Sequence, residues 1–430
     1  MNFSELMSIF SVNGCREVYV KTLAANDISK SQVYLADEFD LLNIFPVGKV
    51  EAAPSLKKEA FKVTLDFSWV AEDASLNTAP HAKFILYPQY PEVRFSGFLQ
   101  GCRQPPSQLM NRKATGRLLF MAVSGQRTLG YVCSPFSTVA AQCKKQLETA
   151  EDYGVFKVIS LKKESRDRKM LIAQLRRIHR LGWIDSKRLN SQGKLVPCYA
   201  PNCGGYTLEA ELGIRPNSSP SPDFLGWEIK QFGVTSLLKA GNAVITLMTP
   251  EPDGGYYKTD GIPQFISKYG YADKRGRPGR SNFGGIHKFE EIHLTTGLEL
   301  RLKGFDAKTG RIKDVDGKIA LIDSAGEIAA SWSFANLLQH WTGKHNQTCY
   351  IPSIRSSARQ YRYGETIMLS TGTSFELFLR EVAAGHIYYD PGIKLETIGR
   401  PKTKARSQFR IKYAHLENLY KSNERISLRP

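Results

Sequence analysis

Apolar residues recur along this chain in two rhythms, and the change from one to the other falls near the first third. Up to residue 150 they come in short β-branched and aromatic runs: Val18 to Leu23, Gln32 to Leu35, Phe61 to Phe67, Lys83 to Tyr87, Glu92 to Phe95, Arg117 to Val123 and Gly130 to Val132. Turn-forming residues such as Ala25-Asn26-Asp27 punctuate them. Many short strands with turns between predict a barrel or sandwich, not a wound α/β sheet. A short helix over Phe3 to Phe10 precedes them. A last strand candidate, Gly154 to Leu161, is followed by the charged run LKKESRDRKM, which ends the β pattern.

From Met170 the spacing becomes helical. Leu171, Ile172, Leu175, Ile178 and Leu181 mark one face, and Arg176, Arg177 and Arg180 the other. The pattern is that of a helix covering a sheet; a helix lying on nucleic acid has the same signature. The expected organisation is a mainly β domain over 1–150, a linker over 151–164 and an α/β domain over 165–430.

The second domain is organised around Cys203 to Phe232. A short helix, Tyr206 to Leu212, carries Glu209 and Glu211. A Pro/Asn/Ser loop follows, then Pro222-Asp223, four residues, and Glu228-Ile229-Lys230. Leu225, Trp227 and Ile229 alternate with polar residues, as in a strand with one buried face. On such a strand Glu228 and Lys230 point the same way, and Asp223 joins them from its near end or the turn before it. Ala243 to Met248 predicts a second strand. Two carboxylates and an ammonium at one spot suit a hard divalent cation held through oxygen, with the Lys holding or activating a water beside it. That is the equipment of a phosphodiester hydrolase. A solvated strand face has the same spacing, and the apolar backing is what favours the chemical reading.

Composition narrows the partner. Of 430 residues, 42% are hydrophobic and 23% charged, which is globular and long enough for two or three domains. Lys plus Arg is 59 against 41 for Asp plus Glu, a net +18. Such an excess favours a polyanion, although it also serves solubility. No apolar run reaches the roughly 20 residues of a membrane span. MNFSELMSIFSVNGCREV has no basic n-region, so a cytoplasmic location is expected. Seven cysteines are scattered, with Cys198 and Cys203 the one close pair. They read as reduced thiols, a structural zinc being the alternative.

Basic positions cluster with aromatics in the first half, where Arg94, Arg103, Arg112, Lys113 and Arg117 interleave with Tyr87, Tyr90, Phe95 and Phe98. In the second half Lys274, Arg275, Arg277 and Arg280 sit in a Gly/Pro-rich loop suited to phosphate contact. Arg406, Arg410 and Lys412 form another basic segment, Arg410 and Lys412 on one strand face. His287, Glu290, Glu291 and His293 invite a metal reading, but neither a helical nor a strand frame collects three ligands. Ala330 to Trp341 predicts an amphipathic helix, and Gly304 to Asp316 a hairpin or surface excursion.

Three stretches in order, GGYTLEAELGI, PDFLGWEIK and VITLMTPEP, resemble the MvaI/BcnI family of restriction endonucleases, which have the PD-(D/E)xK nuclease fold. The resemblance runs from about Leu171 to the C-terminus. It implies Asp223, Glu228 and Lys230 as the catalytic triplet, with the Ile229 carbonyl as a further metal ligand and Glu209 as a helix carboxylate facing the site. It also implies Mg²⁺, double-stranded DNA, a 5′-phosphate product, action as a monomer, and short C·G-rich sites such as CCWGG. FRIK and the Leu-Tyr helix after it resemble the family's end, where base-reading groups lie, which implies Arg410 and His386 as base contacts. Separately, VYVKTLAANDISKSQVYLADEFDLLNIFP resembles the opening of the EcoRII-type effector domain, a DNA-binding pseudobarrel. That places Lys21 and Asn26 near one DNA-contacting arm and Arg94 near a second, although the loop from Asn26 to Gln32 is short for that pattern. Together the two modules resemble the UbaLAI-type architecture and imply a type IIE-like enzyme. A MutH-like nicking enzyme and a DNA-binding regulator with an inactive nuclease domain are the competing expectations.

Overall fold

Strand-forming runs pair in this protein largely as their alternation requires. The computed structural model describes Met1 to Arg429 except residues 26–27, 30–31, 55–58, 91, 113, 162–163, 216–221, 238–239 and 343–344, with backbone alone at 28–29, 40 and 164–166. The chain divides into two compact units, Met1–Met170 and Leu171–Pro430.

The first unit is mainly β. Among its described residues one sheet runs, in spatial order, through Glu151–Tyr153, Phe156–Ser160, Glu17–Leu23, Arg117–Ser124, Arg127–Cys133, Phe67–Val70 and Leu76–Thr78. A second runs through Ile28–Ser29, Gln32–Ala36, Glu92–Ser96, Lys83–Tyr87, Ala60–Thr64 and Val50–Ala53. Phe3–Val12, with an Asn2 capping box, and Thr138–Thr149 form helices; Leu6, Phe10, Val139 and Cys143 from these two pack with Val18, Val20, Phe120 and Leu129. The second helix has no counterpart in the hydrophobic pattern. Its buried residues, Val139, Ala140 and Cys143, are few and small, so periodicity is faint and the cap, Ser137 Oγ accepting from Ala140 N at 3.1 Å, marks its start.

Residues expected to form a linker, 151–164, belong to this unit instead. The Phe156–Ser160 strand pairs antiparallel with Glu17–Val20, so the closing-strand signal in Gly154 to Leu161 outweighs the charged run after it. Arg117 also departs from expectation. It is wholly buried, and its guanidinium donates to the carbonyls of Leu109 (2.6 Å), Ala114 (2.8 Å) and Met110 (3.3 Å), which makes it a clamp on a loop and not a nucleic-acid contact.

In the second unit the helix Glu164–Arg180, which straddles the boundary, turns Leu171, Ile172, Leu175 and Ile178 inward against Leu208, Ile229, Cys349 and Ile351. Arg177 on its outer face bonds Glu211, so the helix serves as a sheet cover. Leu181 lies past the helix end and is exposed. The Glu228–Gly233 strand runs parallel to Gln347–Arg355, whose other neighbours, Gln360–Tyr363 and Thr366–Thr371, are antiparallel. Val244–Met248 forms the expected strand but pairs with Phe409–Lys412, which in turn pairs with Ile387–Tyr389. The amphipathic helix begins at Phe334, capped by Ser333, because Ile328–Ser333 is a strand. Phe305–Asp306 and Arg311–Ile312 make the expected small hairpin.

Cys198 and Cys203 form a disulfide, which corrects the expectation of reduced thiols and removes the zinc alternative at that pair. Their Cα atoms are 5.8 Å apart, within the reach of a bridge. Cys15, Cys133, Cys143 and Cys349 are free and buried. Among the described residues no helix is long and apolar enough to cross a membrane.

Replacing the Arg117 guanidinium by an apolar side chain strands the carbonyls it serves. Arg117→Met is expected to lower the stability of the first unit by about 2–4 kcal/mol, read from a denaturant unfolding midpoint.

Candidate active site

A tight turn sets the site. Phe224 and Trp227 exchange both backbone hydrogen bonds, 3.0 Å from Phe224 N and 2.8 Å from Trp227 N. Between them Leu225 and Gly226 both have positive φ, 52° and 85°. That is a two-residue hairpin of the I′ kind, for which Gly at the second position is favourable and Leu at the first is strained. The expected strand through Leu225 and Trp227 is therefore shorter and begins at Glu228. Leu225 is half-buried, and its apolar alternation comes from the turn.

Because the chain doubles back, Asp223 reaches the strand that follows. Its Oδ2 accepts from Ile229 N at 3.0 Å. Glu228 is buried, and Lys230, two residues on, places Nζ 3.4 Å from Glu228 Oε1. The same ammonium donates to Leu247 O at 3.3 Å, tying it to the neighbouring Val244–Met248 strand.

Glu209 comes from the helix Cys203–Leu212, which ends at Gly213 in the left-handed region, φ 74°. Burial pushes its carboxyl up to about 7, and the charges of Asp223 and Glu228 push the same way. Glu209 is thus close enough to Asp223 and Glu228 to feel their charges in a partly dehydrated setting. Glu211, on the same helix, is instead held by Lys187 and Arg177 and takes no part.

The donor set is all oxygen and carries more negative charge than Lys230 offsets. That composition suits a hard divalent cation, which Asp223, Glu228 and the Ile229 carbonyl would hold. Among the described residues no group of three or more His, Cys, Asp or Glu side chains is placed to hold a metal ion. A small divalent ion that keeps several waters needs only one or two carboxylates.

The sequence model of the MvaI/BcnI restriction endonuclease family matches residues 172–420. The chain belongs to the MvaI/BcnI restriction endonuclease family. Members are restriction endonucleases, so the protein is a site-specific deoxyribonuclease. Among solved structures it is similar to the restriction endonuclease MvaI with its cognate DNA substrate, at 18% identity and TM-score 0.45 over 61% of this chain and 98% of that one. It is similar also to MvaI in the absence of DNA, at 17% identity and TM-score 0.35 over 62% and 99%. No curated protein matches.

The residues expected around the MvaI/BcnI site divide by their partners. Lys274 stands over the Tyr271 ring at 5.1 Å, and Arg275, Arg277 and Arg280 line an open cleft with it, about 480 Å³ in volume. Asp273 lies at its base and holds Arg277 through two bonds of 2.9 and 3.0 Å, which keeps its own carboxyl well below the usual range. Arg410 is half-buried, bonded to Thr246 Oγ1 at 3.2 Å and to the Asp390 carboxylate. Lys412 and Arg406 are exposed. His386 bonds Glu381 at 2.8 Å and stacks on His415, centroids 3.8 Å apart. In the first unit Arg94 is held bidentate by Glu92, both bonds 3.1 Å. Lys21 is buried, its ammonium 5.6 Å from the Tyr34 ring centre, so as placed it does not face a ligand. Asn26 and Lys113 lie outside the described residues.

Two groups escaped the sequence reading. Tyr350 and Tyr420 join hydroxyls at 2.6 Å, and Tyr420 donates to Thr348 Oγ1 at 3.2 Å. Burial pushes both phenols up, and the Glu228 charge adds to it. Their proximity follows from the register Glu228↔Thr348 and Lys230↔Tyr350, which no local pattern encodes. The histidines of the metal reading do meet, with His287 and His293 ring centres 4.4 Å apart, but Glu290 and Glu291 turn away to Arg301 and Lys288.

The Glu209 carboxyl titrates higher in the folded than in the unfolded chain, where its ordinary value is 4.5. The folded state thus holds an extra proton between about pH 4.5 and about pH 7, and stability falls as pH rises through that window. Glu209→Gln is expected to flatten this slope, measured as unfolding midpoints at about pH 5 and about pH 8 without divalent cation. Adding a divalent cation to the unaltered protein should recover stability at the higher pH.

Proposed function

We propose that this protein is a Mg²⁺-dependent, type IIE-like restriction endonuclease. It hydrolyses one phosphodiester bond in each strand of double-stranded DNA at a short C·G-rich site such as CCWGG, and leaves a 5′-phosphate. The observation that carries this is the convergence of Asp223, Glu228 and Glu209 beside Lys230, in a chain of the MvaI/BcnI family.

In this reading Asp223, Glu228 and the Ile229 carbonyl hold the cation. When bound, the cation supplies charge to a phosphoryl oxygen and lowers the pKa of a water at the site. Lys230 orients the attacking water from the Glu228 side of the corner; its bond to Leu247 O fixes the ammonium there before substrate arrives. Asp223 keeps its place because Ile229 N–H takes one of its oxygens and leaves the other for the cation. Glu209 supports the water shell, and its proton leaves when the cation's charge is present. Lys274, Arg275, Arg277 and Arg280 follow the phosphate backbone, and Arg410, with His386, reads base edges after exchanging Asp390 and Glu381 for DNA.

The first unit is read as the effector module, an EcoRII-like DNA-binding pseudobarrel. Its separate core, its two sheets and the resemblance of Val18 to Pro46 support this. The protein would act as a cytoplasmic monomer able to engage two DNA sites.

Lys230→Ala and Asp223→Ala are expected to bind duplex DNA as the unaltered protein does and to cut it ~10²–10⁴-fold more slowly. Cleavage by either at the unaltered rate rejects the assignment. On a supercoiled plasmid the product should be linear; a persistent nicked circle identifies the MutH-like alternative.

A further inference from the structure

Leu294 is the most exposed large apolar side chain among the described residues, at 98%. Ile292 at 67% and Ile286 at 51% accompany it on the same loop. A single exposed Leu is ordinary. This one stands on a heavily braced tip. His293 N donates to Leu298 O at 2.9 Å and Gly297 N to His293 O at 2.8 Å, closing the turn. Thr296 Oγ1 lies 2.9 Å from His287 Nε2 and 3.1 Å from His293 Nδ1. His287 is wholly buried, stacks on Phe283 and exchanges backbone bonds of 2.9 and 3.0 Å with Tyr389. Gly285 has φ +116°, and a Cβ there would sit 2.2 Å from His293 Nε2, so the brace admits no side chain at that point. The fold commits buried polar groups to holding an apolar tip rigid in water.

The tip's surroundings identify its occupant. Tyr389 pairs with Phe409 on the strand that carries Arg410, and Arg410 pairs with Thr246 on the strand that receives Lys230. Three strand spacings, about 15 Å, therefore separate the His287 segment from the strand that anchors the catalytic Lys. That is less than the width of a duplex. Gly285, against which His293 packs, directly follows the strand Arg280–Gly284 that leaves the basic loop. The tip's own carboxylates are neutralised, Glu290 by Arg301 at 3.0 Å and Glu291 by Lys288 at 3.6 Å.

We infer that Ile292 and Leu294 form an apolar wedge that enters a groove of bound duplex DNA and unstacks a base step while the catalytic corner engages the backbone. Apolar wedges of this kind kink a duplex, and the bent duplex then wraps more protein surface, which offsets the lost stacking. Rigidity is what the role requires, since a mobile tip would lose its own freedom on insertion. This inference rests on the nuclease reading above.

The test uses the full chain with Ca²⁺ in place of Mg²⁺ and a duplex that the unaltered protein cuts, carrying 2-aminopurine at successive positions. The unaltered protein should raise fluorescence at one step. Leu294→Ala should abolish that rise and weaken binding on the order of tenfold, whereas Leu294→Phe should keep it. The Leu294 side chain is almost wholly solvated, so an unchanged thermal midpoint is expected for both variants. No rise at any position, or a rise equal in Leu294→Ala, overturns the wedge. A change in sedimentation with unchanged fluorescence overturns it in favour of a contact between copies. If the unaltered protein cuts no duplex DNA, the nuclease reading fails and takes the wedge with it. If it cuts and Leu294→Ala behaves identically, the wedge alone is lost.

Discussion

One backbone hydrogen bond governs the site: Ile229 N–H to the Asp223 carboxylate. It closes the loop between the Asp223 and Glu228 carboxylates, across the Leu225-Gly226 turn. Without it, Asp223 would be a solvated residue before a strand. With it, Asp223 is held against the start of the strand that carries Glu228. Burial raises the Glu209 carboxyl, and the charges of Asp223 and Glu228 add to that rise. A cation bound there would offset the charges that Glu209 feels, so stability and chemistry would oppose each other in one corner.

The helix and strand around that corner divide the work. The Glu228–Gly233 strand is held by its parallel partner Gln347–Arg355, and the Cys203–Leu212 helix packs through Leu208 and Leu212 onto the same core. Glu209 and Glu211 are two residues apart on that helix and so face apart. One looks into the site and the other joins Arg177 and Lys187, which pins the cover helix. A single turn thus carries one carboxylate that feels the Asp223 and Glu228 charges and another tied into ion pairs.

Much of this was legible in the residues. The short β runs up to Val132 appear as strands with shifts of a few residues at their ends, except that Phe61 to Phe67 divides between Ala60–Thr64 and Phe67–Val70 in different sheets, and the spacing Asp223, Glu228, Lys230 located the corner. What misled was local ambiguity. Leu225 and Trp227 alternate with polar residues as a strand would, yet φ at Leu225 is positive, because Phe224 and Trp227 close a two-residue turn around it. Ala330 to Trp341 reads as one amphipathic element, but Ser333 caps the helix and hands the first part to a strand. Arg117 looks like a nucleic-acid contact by composition, and Lys21 by the EcoRII-type resemblance, and both are buried by tertiary context. Tyr350 and Tyr420 lay out of reach because the register between strands so distant in sequence leaves no local trace.

The Cys198–Cys203 bridge has a consequence for the same corner. Cys203 is the first residue of the helix that ends in Glu209's turn, and the sulfur bond fastens that residue to the segment before it. The start of the helix that carries Glu209 is therefore set by a covalent link, which ambient thiols can reduce. Reduction would leave that end of the helix to non-covalent packing alone.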